Sequence, residues 1–167
     1  MLKRRLLLPA VPAVMLVGSG ARAATSGPVV IGTWRMLSFY EEELDTHIKR
    51  DLMGPHPSGF ITYTDDGHMA VLFFDGDRKA PAGGTATNEE AVQLYRSMLS
   101  YMGRYQIEGD KVFHHIEAAW NQSWVGTVQT RYWEVRGDNL TIKTAVITSP
   151  FTGHPNTVGM ILWERVK

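Results

Sequence analysis

Between Val112 and Trp133 the sequence VFHHIEAAWNQSWVGTVQTRYW gathers two histidines, a glutamate, a glutamine and an arginine among aromatic residues. A histidine beside a carboxylate can shuttle a proton near neutral pH. An arginine held close by can stabilise negative charge that develops on a bound molecule. A glutamine adds one donor and one acceptor with which to orient it. This chemistry requires that the side chains share one face and that the face look into a cavity. On the other face they would meet only water.

The elements that position them read as two strands joined by a short polar link. Side chains alternate along a strand, so only one set can face a core. In the second strand, Thr127, Gln129, Arg131, Trp133 and Val135 share a face. The following turn, Arg136 to Asn139, sets Val135 opposite Leu140 and Trp133 opposite Ile142, which marks that face as the inner one. A three-residue link, Asn121 to Ser123, would pair Trp120 with Trp124. That register places His115 opposite Gln129, Glu117 opposite Thr127 and Phe113 opposite Arg131. The predicted inward cluster is therefore His115, Glu117, Gln129 and Arg131. A slip of one residue would bring His114 inward instead, and Val112 and Ile116 would also make a sensible core face.

Buried polar groups must be paired, at about 1–3 kcal/mol for each one left alone. An inward Glu117–Arg131 pair with His115 and Gln129 meets that demand. Three uses of the cluster stay open: a network bracing the wall, a set of groups orienting a ligand, or an acid–base pair with His115 and Glu117 as its catalytic members. Tyr63, Tyr105, Trp124 and Trp133 join Gln129 and Arg131 as candidate ligand contacts, since their rings combine apolar area with a polar tip. Each would serve equally well as ordinary core. Metal binding is disfavoured because no recognised ligand spacing occurs. No nucleotide fingerprint, phosphate loop or nucleophile elbow appears, so no cofactor is expected.

The rest of the chain reads mostly as short strands separated by turns. VVIGTWRMLSFYEEE opens the series, with Trp34, Met36, Ser38 and Tyr40 on one face. A weak strand near Thr46 to Asp51 follows. Phe60 to Thr64 and His68 to Phe74 flank Asp65-Asp66-Gly67, a hairpin signal. One helix is predicted over about 88–102. Thr87 or Asn88 caps it, Glu89 and Glu90 sit in its first turn, and Gly103 follows it. Ala91, Leu94, Tyr95, Met98, Leu99 and Met102 would form its apolar stripe, packed on a sheet. Strands are then expected at Arg104 to Glu108, Lys111 to Ala119, Val125 to Val135, Leu140 to Ala145 and Thr157 to Val166. Eight to nine sequential strands with one inserted helix predict an all-β, antiparallel, up-and-down barrel, whose closure removes exposed edges.

Residues 1–23 have the pattern of a cleaved export signal: Lys3, Arg4 and Arg5, then an apolar run to Val17, then Ala21-Arg22-Ala23. The run is short and broken by Pro9 and Pro12, which argues against a stable membrane span after cleavage. Arg4-Arg5 alone does not separate general from twin-arginine export. Cleavage removes four of the 17 basic residues against 17 acidic ones, leaving a net charge of −4 and no basic stripe for nucleic acid. Zero cysteines exclude disulfides and thiolate chemistry. A periplasmic or secreted protein of one domain, 29–167, is expected.

Gly32-Thr33-Trp34 on the first strand resembles the G-x-W signature of lipocalins, and the closing Trp163-Glu164-Arg165 could supply the arginine that packs over that tryptophan. The chain more specifically resembles the bacterial and fungal lipocalin-like domain family. GTWRMLSFYEE, PSGFITYTDDGHMAV, GRYQIEGDKVFHHIEAAW, NQSWVGT-x-Q-x-R and LWER follow its pattern in order over nearly the whole mature chain. The mid-chain helix departs from ordinary lipocalins. The resemblance implies a barrel with an internal cavity and no settled chemistry. A small apolar or aromatic molecule is the expected partner. A cofactor-independent isomerase, cyclase or lyase is the alternative. Oligomeric state and ligand identity stay open.

Overall fold

The computed structural model describes residues 29–167; the segment 1–23, expected to be an export signal, lies outside them. Nine strands follow in order: β1 (Gly32–Glu43), β2 (Lys49–Asp51), β3 (Pro57–Tyr63), β4 (His68–Asp75), β5 (Met98–Glu108), β6 (Lys111–Ala119), β7 (Val128–Arg136), β8 (Asn139–Thr144) and β9 (Thr157–Arg165). One helix, α1 (Asn88–Arg96), joins β4 to β5. All strand pairings are antiparallel, and each strand from β3 to β9 pairs with the next. The long β1 pairs with β3 at its start and with β9 along most of its length, which closes eight strands into a barrel. The short β2 adds to the far end of β1, with Tyr40 opposite Asp51. The expected up-and-down barrel is the observed fold.

Closure at the floor follows from two residues at the ends of the chain's first and last strands. The Trp34 indole N–H donates to the Val30 carbonyl at 2.8 Å, and the Arg165 guanidinium lies over the Trp34 ring, 3.9 Å from its centroid. Arg165 also donates to the Ile31 and Val29 carbonyls at 2.8 and 2.6 Å. A weakly hydrated guanidinium on an aromatic face loses little by partial burial. It ties the chain entering the barrel to the chain leaving it.

Three expectations about local structure are corrected. In β1, Leu37 is an extra residue: Met36 pairs with Trp163, but Ser38 pairs with Leu162. A bulge of one residue inverts every later side chain. Phe39, Glu41 and Glu43 therefore face inward, in place of Ser38 and Tyr40.

Helix α1 stops at Arg96, well short of residue 102. Thr87 caps it, with Thr87 Oγ1 accepting from the Glu90 amide and Glu90 returning to the Thr87 amide. None of its residues is buried, and of its expected stripe Tyr95 meets the Trp120 ring just past β6, with centroids 6.1 Å apart. Met98, Leu99 and Met102 belong to β5, where Leu99 and Tyr101 point inward. Ladder bonds to β4 and β6 override the helical spacing at Met98, Leu99 and Met102.

The hairpin of β6 and β7 is the third correction. A 3₁₀ turn, Gln122–Trp124, begins the link, and Gly126 then sits at φ 80°. The Ile116 N–H donates to the Thr127 carbonyl, while the Ile116 carbonyl accepts from the Gly126 N–H. Two residues thus oppose one, a bulge with glycine in the left-handed region. The extra residue moves the register by one. His114 lies opposite Gln129, Val112 opposite Arg131 and His115 opposite Val128. His115 and Glu117 are consequently on the outer, exposed face, and Glu117 lies 3.6 Å from Arg104 instead of pairing with Arg131.

Candidate functional site

The inner face of the hairpin carries Val112, His114 and Ile116 from β6, and Gln129, Arg131 and Trp133 from β7. As expected from the turn after β7, Val135 pairs with Leu140 and Trp133 with Ile142. His114 is fully buried and spans two tyrosines. Its Nε2 is 2.9 Å from the Tyr63 hydroxyl, and its Nδ1 is 2.9 Å from the Tyr101 hydroxyl. Tyr63 comes from the floor side of the barrel, opposite Gly32, and Tyr101 from the mouth side. The three side chains form one hydrogen-bonded line along the interior.

Burial decides the charge states on that line. Desolvation, aided by the positive charges of Arg131 and His115, holds His114 well below the usual histidine range. Burial likewise raises Tyr63 and Tyr101 above the usual phenol range, with Arg131 opposing both shifts. All three groups are neutral around pH 7. A neutral imidazole has one N–H and one bare nitrogen. One tyrosine therefore donates to His114 and the other accepts from it, leaving the accepting tyrosine free to donate elsewhere.

The depressed His114 value has a consequence for stability. Its reference value is 6.5, so below about pH 6.5 the unfolded chain binds a proton that the folded one refuses. Stability from this site is fully present above that pH and is lost as pH falls toward the lower folded value, at about 1.4 kcal/mol per pH unit. Glu42, Glu43, Glu90 and Asp66 are all lowered from values at or below 4.5, so they act at more acid pH. Urea unfolding should show stability falling as the pH is lowered from 7.5 to 5.0. The variant H114Q should lack that loss.

Above the tyrosine–histidine line, at the end of the barrel opposite Trp34, lies a cavity. Phe39, Phe73, Leu99 and Ile161 form its apolar wall, and Trp124, Pro150 and Phe151 its rim. Its enclosed space is ≈ 30 Å³, room for about one or two waters. With the open space at the rim it reaches ≈ 420 Å³. Gly159 keeps it open on one side, since a Cβ there would lie 3.1 Å from both Phe39 and Thr144.

Four polar side chains line this largely apolar space: Tyr101, Arg131, Glu41 and Thr144, whose Oγ1 accepts from the Gly159 N–H at 2.9 Å. Arg131 is 5% exposed, and its Nη1 donates to the Thr130 carbonyl at 3.0 Å. Among the described residues no carboxylate lies within 4.0 Å of it. Glu41 is 3% exposed and accepts one bond, from Thr152 Oγ1 at 3.0 Å. Its neighbour on the same face, Glu43, is already engaged by Arg50, by Thr46 at 2.7 Å and by His154 at 3.4 Å.

Of the residues singled out from the sequence, Arg131 and Trp124 line the cavity, and Tyr63 touches it indirectly through His114. Gln129 is half-buried on the inner face and donates to Thr127 at 3.2 Å. Tyr105 packs edge-on against Tyr63 and donates to the Thr64 carbonyl at 2.7 Å. Trp133 is a core residue whose buried indole N–H has no acceptor among the described residues. His115 and Glu117 are remote from the cavity. Missed were Tyr101, hidden inside the predicted helix, and Glu41, placed outward by strict alternation. The V-G-T at Val125–Thr127 was the available signal for the hairpin bulge.

A closed eight-stranded barrel with a floor tryptophan under an arginine and a cavity at the opposite end defines a lipocalin-like architecture. The profile of the lipocalin-like domain matches residues 31–166, and the chain belongs to that family. Among curated proteins none matches the chain. A solved structure of an uncharacterized protein from Bacteroides eggerthii is similar over 82% of this chain and 99% of its own, with 11% identity and a TM-score of 0.40.

Proposed function

We propose that the mature protein is an exported binding barrel that holds a small apolar or aromatic molecule, with an oxygen acceptor of that molecule against Arg131. The observation that carries this reading is a buried guanidinium in an aromatic-walled cavity, with one backbone acceptor and, among the described residues, no carboxylate within 4.0 Å. An uncompensated buried charge is costly. A ligand oxygen at that point would supply the missing partner. The lipocalin-like barrel supports ligand binding in general terms. The enclosed part has room for only about one or two waters, so a molecule of about one ring would sit mostly in the open space of the rim, between Trp124 and Phe151. Glu41 on the same cavity disfavours a second negative charge, so a neutral carbonyl compound fits better than a carboxylate. Export rests on the basic, apolar and A-x-A segments of residues 1–23.

The test is native mass spectrometry of the mature protein purified from its own host. A released small molecule retained by the natural protein and absent from R131M is the expected outcome. A barrel that carries nothing, or carries the same molecule in R131M, would remove Arg131 from the account. The N-terminal residue of the processed chain should be Ala24, read from the intact mass of the periplasmic or secreted fraction.

A further inference from the structure

The cavity brings together a carboxylate, a guanidinium and a phenol, and binding alone does not use all three. Glu41 has one hydrogen bond and no basic partner within 4.0 Å among the described residues. Tyr101 reaches the cavity with its hydroxyl already fixed by His114 at 2.9 Å. Arg131 stands beside it on the next strand but one. A carboxylate lining the same aromatic cavity as two hydrogen-bond donors is a set of groups that can move a proton next to a carbonyl.

We propose that this cavity enolises a small apolar carbonyl compound without a cofactor, with Glu41 as the base and with Arg131 and Tyr101 holding the carbonyl oxygen. The proposal rests on the reading of the cavity as a binding site and adds a reaction to it. The Glu41 carboxylate takes a proton from the carbon next to the carbonyl. The C–H electron pair becomes the new C=C bond, and the carbonyl π pair moves onto oxygen. That oxygen accepts hydrogen bonds from Arg131 and from the Tyr101 O–H. The proton then returns from Glu41 to the same carbon or to a conjugated one, so the net change is exchange or isomerisation. No electron is lost or gained.

His114 is a positioning residue here. For Tyr101 to donate to the substrate oxygen, its own oxygen must accept from His114 Nδ1–H. His114 Nε2 must then accept from the Tyr63 hydroxyl. Burial that keeps Tyr101 protonated also keeps it a donor. The line from Tyr63 through His114 to Tyr101 thus aims one proton into the cavity.

The experiment uses acetophenone as the probe, with the mature protein in D₂O at pH 7.5. Loss of the methyl proton signal reports exchange, and saturation-transfer NMR on the same samples reports binding. Exchange should exceed the protein-free rate, fall at least about 100-fold in E41Q with binding retained, and fall about 10- to 100-fold in Y101F. In the wild type, ¹⁵N shifts should show His114 protonated at Nδ1 and bare at Nε2. Acetophenone that binds but exchanges no faster than in buffer would overturn the proposal and leave the binding reading intact. Acetophenone that does not bind would overturn both. Unchanged exchange in E41Q, with circular dichroism confirming its fold, would remove Glu41 as the base.

Discussion

Replacing Trp34 by alanine should destabilise the barrel by about 3–5 kcal/mol, the range for removing a large buried aromatic side chain. Trp34 is fully buried, and it is bound at both ends of its environment. Its indole N–H holds the Val30 carbonyl, and its ring carries the Arg165 guanidinium. Alanine would open a cavity at the floor and leave Arg165 with its two backbone carbonyls but no ring beneath it. A domain of this size is stable by about 5–15 kcal/mol, so the loss takes a large share. Urea denaturation checks it. A loss under about 1.5 kcal/mol would mean that the floor is closed by something other than this contact.

Replacing His114 by leucine should cost roughly 2–5 kcal/mol, because it strands two buried hydroxyls at once. Leucine is close to histidine in size, so the effect comes from the Tyr63 and Tyr101 groups and not from a void. The asymmetry of buried hydrogen bonds gives a sharper expectation. Removing every partner together is nearly neutral, whereas removing one is expensive. The triple variant Y63F/H114L/Y101F should therefore recover most of the lost stability. A triple variant as unstable as H114L would show that the line of three is not a closed hydrogen-bonded unit.

Much of the barrel is legible in the sequence because its strands alternate and its turns are marked. Asp65-Asp66-Gly67 places one hairpin, and the turn from Arg136 to Asn139 fixes the inward face of Arg131 and Trp133 correctly. The floor is legible from Gly32-Thr33-Trp34 and the terminal arginine. What fails is parity. Each bulge inserts one residue and exchanges the inner and outer faces beyond it. Leu37 does this in β1, hiding Glu41, and Gly126 does it before β7, exchanging His115 for His114. The Leu37 insertion disturbs neither composition nor propensity, so the pattern alone does not reveal it, whereas Gly126 is the one local mark of the second.

The helix fails for another reason. Met98 to Gly103 satisfies both a helical stripe and a strand alternation, and so short a run carries no arbiter. Pairing with β4 and β6 decides it, and that pairing is long-range. Tyr101 becomes a cavity residue only through it. The residue types expected of the hairpin thus meet the interior in a changed selection. Arg131 stays, while the histidine shifts by one position. The carboxylate comes from the first strand, on the far side of the barrel.

The central claim is that the mouth cavity, with Arg131 at its polar point, is the ligand site. Amide chemical-shift mapping of the ¹⁵N-labelled mature protein during titration with acetophenone tests it most directly. The account predicts saturable shifts centred on Leu99, Tyr101, Arg131, Thr144 and Gly159, weakened about 10-fold or more in R131M. Shifts confined to the outer face around His115 and Glu117, or an R131M titration identical to that of the natural protein, would contradict it.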